Sequence, residues 1–390
     1  MYAIKLGCDK IFYGKNSVQA LQNLPGTIKK AFIVMSGTIL EELGSLQIVT
    51  DVLEAGGFQW EIYTDVEPEP SFQSIKKGVK AMTRFAPDWI IGFGGGSAMD
   101  AAKAMWVFYE NPQYEELDDV MPPNMIKNLK IKAHIACIAT SAGTGSEATR
   151  AALIKDTEKK KKYSIRDMNG RMIPDVAILD PVFTVSMPKE LTASSGMDAI
   201  THAIESYATP LANPFSDALA ISSFMNGYHN ILICYEQGDN LDAREKMLAA
   251  ACMGGIAFSN CALGIVHIVA HTFGAEYGIP HGLANAIMLP YGIKFNARSK
   301  AVQVRYKKLA QMVGQDSLYE SIVKLNQKLN IPTAMKAAIR QGDMVEEKID
   351  LLVEKALQDV CTPFTPVKPS AAEMKQLIWA VYTGDTSIVP

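Results

Sequence analysis

The chain has 390 residues, enough for two domains of ordinary size or one large one. Hydrophobic residues make up 48% and charged residues 20%, which excludes a disordered chain and implies a core of its own. A formal net charge of -3 gives no electrostatic basis for a nucleic-acid or anionic-membrane partner, so small molecules are the expected ligands.

The N-terminus reads MYAIKLGCDKIFYGKN, with early charges and no apolar core of a signal peptide, and no stretch reaches the length of a membrane span. A soluble, cytoplasmic protein is expected. Six cysteines (Cys8, Cys137, Cys234, Cys252, Cys261, Cys361) stand among apolar neighbours without CxxC spacing, as reduced thiols do.

In chain order, residues 31–35, 60–64, 89–93, 134–140 and 176–179 are short β-branched runs that predict strands. Helical pattern separates them, as in residues 71–85, where Phe72, Ile75, Val79 and Met82 recur at helical spacing. This alternation implies βαβ units and a parallel sheet. A run of lysines, Lys159 to Lys162, is too short to be low complexity. Turn residues cluster at Asp180, Pro181 and Pro188, and beyond them residues 217–235, 243–258, 301–312, 318–329 and 345–359 predict helices with apolar stripes. The expected fold is an N-terminal α/β domain with a Rossmann-like parallel sheet, residues 1–185, followed by an all-helical domain, residues 186–390.

Two loops in the first half carry chemistry. Gly92-Phe93-Gly94-Gly95-Gly96-Ser97 lies between a predicted strand and a predicted helix, where backbone amides and a helix N-terminus suit a pyrophosphate; the plain alternative is a tight turn. Asp100, in the first helical turn, can accept bonds from backbone or from a ligand hydroxyl. The segment from Thr140 to Glu147 repeats the strand-then-small-residue layout, suiting phosphate or ribose contacts or else N-capping.

In the second half, four of the six histidines lie in two short segments. Asp198 and His202 stand four apart, as do His267 and His271, and His281 follows Pro280 at a predicted helix start. A set of three imidazoles and one carboxylate suits Fe²⁺ or Zn²⁺ and leaves one histidine over. His134 and His229 read as structural. A divalent ion beside a nicotinamide site points to hydride transfer at a polarised carbonyl.

The segments 94–103 (GGGSAMDAAK), 140–149 (TSAGTGSEAT), 193–205 (ASSGMDAITHAIE) and 264–290 (GIVHIVAHTFGAEYGIPHGLANAIMLP) resemble the cofactor loops and metal signatures of the iron-containing, or group III, alcohol dehydrogenases. Within that family the sequence is most similar to butanol-type enzymes and to the alcohol dehydrogenase half of bifunctional aldehyde/alcohol dehydrogenases. The resemblance implies a dinucleotide-binding domain and a helical metal-binding domain with a cleft between them, and a homodimer or higher homo-oligomer. It makes Asp198, His202, His267 and His281 the ligands of Fe²⁺ or another divalent ion, and places His271 beside nicotinamide and substrate, where a histidine can relay protons between the alcohol and solvent or else simply pack against the nicotinamide or cap a backbone group. For NADH or NADPH it implies contacts from Gly94, Gly95, Gly96, Ser97 and Asp100, with Thr140, Ser141, Thr144, Thr149, Leu153, Lys162 and Leu191 lining the rest of the groove. Ser36, followed by Gly37, stands where many members carry an acidic residue for the ribose; without that charge a 2′-phosphate is tolerated, making NADPH plausible beside NADH.

The expected activity is reduction of a small aldehyde or oxidation of its alcohol. Alternatives are an anionic short aldehyde, with Arg150 as a candidate for its tail, a polyol dehydrogenase or dehydroquinate-synthase-like lyase on the same architecture, and a non-catalytic filament subunit.

Overall fold

The computed structural model describes residues 4–122, 124–159, 161–340 and 345–390; Lys160 of the basic run lies outside the described residues. The chain forms two compact units, one ending at Ser186 and the other beginning at Met187.

The first unit contains eight strands among its described residues: β1 (Lys10–Tyr13), β2 (Lys30–Val34), β3 (Gln59–Tyr63), β4 (Trp89–Gly94), β5 (His134–Ala139), β6 (Ala151–Asp156), β7 (Lys161–Arg166) and β8 (Val176–Leu179). Six of them form one sheet in the order β1-β8-β5-β4-β2-β3, with every neighbouring pair parallel. Strand β4 is buried along its whole length, as expected of a central parallel strand covered on both faces. One face packs Ile33, Ile91, Phe93, Ile138 and Ile178 against Val49 and Leu53 of the helix Ser45–Ala55. On the helix Phe72–Phe85, Phe72 packs at a tilt against Phe108 of the helix Gly96–Glu110 with ring centroids 5.1 Å apart. Strands β4 and β5 run in register from Trp89 opposite His134 to Gly94 opposite Ala139, so the glycine turn and the second small-residue loop leave the sheet at one edge. The carboxyl ends of parallel strands are where open α/β sheets bind ligands.

The Rossmann-like sheet follows the sequence expectation, and three strands add to it. Strand β1 (KIFY) is mostly exposed and has no apolar alternation to announce it. The antiparallel hairpin β6–β7 buries Ala152, Ile154 and Asp156 and exposes Leu153 and Lys155, and its second strand begins inside the basic run.

The second unit contains no strand among its described residues and is built of the helices Lys189–Ala208, Pro214–Glu236, Leu241–Cys261, Ile265–Tyr277, His281–Asn296, Lys300–Met312, Leu318–Lys328, Val345–Leu357 and Ala371–Thr383. Side-chain caps fix several starts. The Asn213 carboxamide accepts from the N–H groups of Phe215 and Ser216, and Asn240 and Ser370 cap their helices in the same way. Among the described residues no single helix is long and apolar enough to cross a membrane.

Candidate functional site

The helix Lys189–Ala208 places Asp198, His202 and Glu205 at i, i+4 and i+7, on one buried face. The helix Ile265–Tyr277 carries His267 and His271 one turn apart; Gly278 in the left-handed conformation (φ 68°) ends it, and His281 opens the next helix directly after Pro280. A Cβ on Gly282 would meet the Ser194 carbonyl oxygen at 2.4 Å, so glycine is what lets this helix start approach the helix that carries Asp198.

The result is a compact donor set. Oδ1 of Asp198 lies 3.7 Å from Nε2 of His202, 3.8 Å from Nε2 of His267 and 3.5 Å from Nε2 of His281. One ligand atom from each of the four residues lies within 4.8 Å of all the others. Bonds of about 2.1 Å to a divalent ion separate tetrahedral donors by roughly 3.4 Å, so this spacing fits one cation.

The electrostatics fit as well. Burial works against the Asp198 charge, but the imidazoles of His202, His281 and His267 and the Asn285 amide outweigh it, and the carboxyl is held below its ordinary range. Burial, reinforced by His202 and His281, pushes His267 well below the usual imidazole value, which keeps the ring neutral with a lone pair to give.

Two further residues complete the surroundings of this set, and neither had an assigned role in the sequence. Glu205 Oε2 lies 2.6 Å from Nδ1 of His267, while its other oxygen accepts the Val266 N–H at 2.8 Å. Burial raises the Glu205 carboxyl to about 7 against the pull of the Val266, Gly264 and His267 amides. Holding Nδ1 in this way turns Nε2 of His267 toward the donor set. The i+7 spacing from Asp198 was the available signal. Asn285, one turn after His281, donates to Asp198 Oδ1 at 2.7 Å and lies 3.1 Å from Nε2 of both His267 and His281.

His271 stands apart from the four. Its ring stacks on His281, with centroids 5.4 Å apart, but its Nδ1 lies 2.9 Å from Oδ2 of Asp359, and its side chain is 31% exposed. Burial opposes the Asp359 charge, yet the bond and charge of His271 and the Cys361 amide lower its pKa. Asp359 is 88 residues away in sequence, and nothing local marked it.

The second candidate region belongs to the first unit. Strand β4 ends at Gly94, whose φ of 153° and a would-be Cβ 2.7 Å from the Ala98 methyl both require glycine. Gly95 is the N-cap of the helix Gly96–Glu110, whose first-turn amides have no intrahelical partner. The loop after β5 packs on this turn: a Cβ on Gly96 would lie 2.9 Å from Cγ2 of Thr144, and one on Gly95 would lie 3.3 Å from Oγ of Ser141.

Asp100 takes the backbone-bonding option, since its oxygens accept from the Leu153 N–H at 2.9 Å and the Ser146 hydroxyl at 2.6 Å. Fully buried Lys103 donates to the carbonyls of Ser146 (2.9 Å) and Ala151 (2.5 Å) and to Oγ1 of Thr149 (3.2 Å). The Thr140 N–H bonds the Gly94 carbonyl. The Ser36 hydroxyl donates to the Val66 carbonyl at 2.7 Å, and Gly37 follows with φ 66°. Ser97 accepts from the Glu69 N–H, and Lys162 pairs with the Glu69 carboxylate. The Leu153 side chain is exposed, as is that of Leu191 in the second unit. Arg150 donates to the Met168 carbonyl at 3.4 Å. His134 stacks on Trp89 and contacts Asp175, and His229 packs edge-on against Tyr228.

The iron-containing alcohol dehydrogenase model matches residues 8–181, and the C-terminal model of the Fe-containing alcohol dehydrogenase family matches residues 192–382. An NADPH-dependent butanol dehydrogenase of Clostridium saccharobutylicum is 42% identical over 96% of this chain and 96% of its own length. The chain belongs to the iron-containing alcohol dehydrogenase family. A bifunctional aldehyde-alcohol dehydrogenase of Escherichia coli K12 is 34% identical over 91% of this chain but only 43% of its own length, so the chain spans less than half of that relative. An iron-containing alcohol dehydrogenase from Thermococcus thioreducens has the same fold, with a TM-score of 0.89 at 31% identity, covering 98% of this chain and 100% of that one. This iron-containing dehydrogenase is accordingly an oxidoreductase, and its sheet-then-helices order is that of its family.

Proposed function

We propose that the chain reduces small uncharged aldehydes with NADPH or NADH, and oxidises the corresponding alcohols, using Fe²⁺ held by Asp198, His202, His267 and His281. The observation that carries this reading is the cluster of one carboxylate and three imidazoles, buried at Asp198, His202 and His267 and open to solvent at His281, with His267 kept neutral and Asp198 ionised. Imidazoles coordinate through a nitrogen lone pair, so three of them with one carboxylate would leave a divalent ion with net positive charge, the condition for Lewis acidity. When bound, the ion supplies polarisation of the substrate oxygen and the nicotinamide supplies the hydride.

The protein's own part is positional. Glu205 holds His267 in the orientation that presents Nε2, and Asn285 bonds the coordinating oxygen of Asp198. His271, outside the cluster and partly exposed, exchanges the alcohol proton with solvent at Nε2. In the first unit the amides around Gly94, Gly95, Gly96 and Ser97 hold the pyrophosphate, with Thr140, Ser141, Thr144, Thr149, Leu153 and Lys162 as further contacts. Asp100 braces this loop, and Ser36 with Gly37 leaves the ribose end without a repelling carboxylate. The NADPH-dependent relative supports that part. A homo-oligomer working in the cytoplasm belongs to the same reading and rests on the family resemblance.

The test is cofactor oxidation with two- to five-carbon neutral aldehydes beside carboxylated and sulfonated ones, before chelation, after it, and after return of Fe²⁺. Neutral aldehydes turned over best, with activity lost on chelation and restored by Fe²⁺, is the expected result. Undiminished turnover by protein verified as metal-free contradicts the proposed ion, and a clear preference for charged aldehydes contradicts the substrate class.

A further inference from the structure

His271 is held from a part of the chain that the cofactor loops and metal signatures do not include. Asp359 follows the helix Val345–Leu357 and sits in a turn closed by its own N–H to the Ala356 carbonyl, the Thr362 N–H to its carbonyl at 3.0 Å and the Thr362 hydroxyl to the Ala356 carbonyl at 2.9 Å. One carboxylate oxygen accepts the Cys361 N–H at 2.8 Å; the other lies 2.9 Å from Nδ1 of His271. The same two helices are clamped a turn away, where Glu276 pairs with Lys348 at 2.7 Å and with Lys355 at 2.6 Å. These bonds restrain the carboxylate and tie its turn to the helix that it faces.

We infer that Asp359 is a positioning residue for His271, holding the ring in the tautomer with the proton on Nδ1 and the lone pair on Nε2. The inference rests on the reading of His271 as the proton relay. An ionised carboxylate only accepts hydrogen bonds, so the nitrogen facing it must carry hydrogen. Nε2 is then left as the basic nitrogen, and its orientation is set at the opposite edge of the ring by the Asp359 bond and on one face by the His281 stack. In the relay the alcohol O–H bond breaks as an Nε2–H bond forms; the Nδ1 proton stays on the ring, and the adjacent carboxylate stabilises the imidazolium until Nε2 passes its proton to solvent. Without the carboxylate the tautomer with Nε2 protonated becomes accessible, and that form cannot accept the alcohol proton.

The experiment uses full-length protein loaded with Zn²⁺, a diamagnetic substitute, with its histidines labelled with ¹⁵N. The parent should show His271, assigned by its loss in His271→Ala, protonated at Nδ1 and bare at Nε2. Asp359→Asn should gain the Nε2-protonated form. In Fe²⁺-loaded enzyme, kcat of Asp359→Asn should fall toward that of His271→Ala, a loss of about 10²–10⁴-fold, with KM for the aldehyde and metal content unchanged. Asp359→Glu should recover part of the rate. A parent His271 protonated at Nε2, or Asp359→Asn with the parent's kcat and tautomer, overturns the inference. Loss of bound metal in Asp359→Asn also overturns it, by assigning the carboxylate to the ion. A His271→Ala enzyme with full kcat contradicts the relay reading instead, and the tautomer of the parent is read independently of that result.

Discussion

Around the glycine turn of the first unit the groups on offer are backbone N–H donors and small hydroxyls, shaped by a loop that packs within van der Waals contact of Gly95 and Gly96. In the second unit the groups on offer are three imidazoles and a carboxylate placed by helices, with Glu205 bonded to His267 and Asn285 to Asp198. The two constructions respond to different kinds of change. A site made of backbone is sensitive to added volume, because the amides cannot move away from a new Cβ. A site made of buried charge is sensitive to the loss of a partner, because the remaining group is left uncompensated.

Lys103 offers the sharpest challenge to this contrast, being a fully buried charge inside the backbone-built region. It ties together the carbonyls of Ser146 and Ala151 and lies 3.5 Å from Asp100. Lys103→Met should cost about 3–5 kcal/mol of stability in urea unfolding, in the range for breaking a buried, paired charge. A loss below about 1 kcal/mol, the worth of a single ordinary hydrogen bond, would show that the lysine is replaceable.

Glu205→Gln comes next. It keeps the shape of the contact with His267 but replaces the carboxyl group that holds Nδ1 with an amide, so affinity for the ion should fall by roughly 10–100-fold in a competition titration with a chelator. Unchanged affinity would separate the carboxylate from the metal site and weaken the claim that partners govern this unit.

Gly96→Ala adds volume instead. Its Cβ would press on Cγ2 of Thr144 at 2.9 Å, an overpacking cost of about 1–3 kcal/mol that should appear as a raised KM for the nucleotide with metal content intact. Adding Thr144→Ser, which removes that methyl, should restore most of the loss; failure of the double variant to recover would place the cause elsewhere.

The smallest effect is expected at Ser36. Ser36→Asp sets a negative charge at the ribose end, worth about 1 kcal/mol against a 2′-phosphate in a solvated setting, and should shift the ratio of NADPH to NADH use several-fold toward NADH. An unshifted ratio would remove Ser36 from the account of cofactor choice.

Legibility in the sequence followed the range of the interactions. Strands β2, β4 and β5 declared themselves as short apolar runs between turns; Asp198 with His202 and His267 with His271 stood out because i, i+4 spacing is a local pattern on a helix, whereas His281 was marked by Pro280 before it and the choice of four ligands came from the family resemblance. The hairpin β6–β7 did not, because its alternation of buried and exposed residues includes an exposed leucine, Leu153, and starts its second strand within a run of lysines. Glu205 was visible in principle as the i+7 member of the Asp198 face, whereas its bond to His267 spans 62 residues and needed the fold. Asp359 had no local signal; packing of the helix Val345–Leu357 against the helix that carries His271 brings it into place.

The central claim is that His267 and His271, one helical turn apart on the same helix, do different work: the first holds the ion and the second handles a proton. Metal stoichiometry measured side by side on purified, Fe²⁺-reconstituted His267→Ala and His271→Ala tests it most directly. The account predicts that His267→Ala loses its metal while His271→Ala retains one ion per chain with a reduced kcat. Loss of metal from His271→Ala as complete as from His267→Ala would contradict it and place His271 among the ligands.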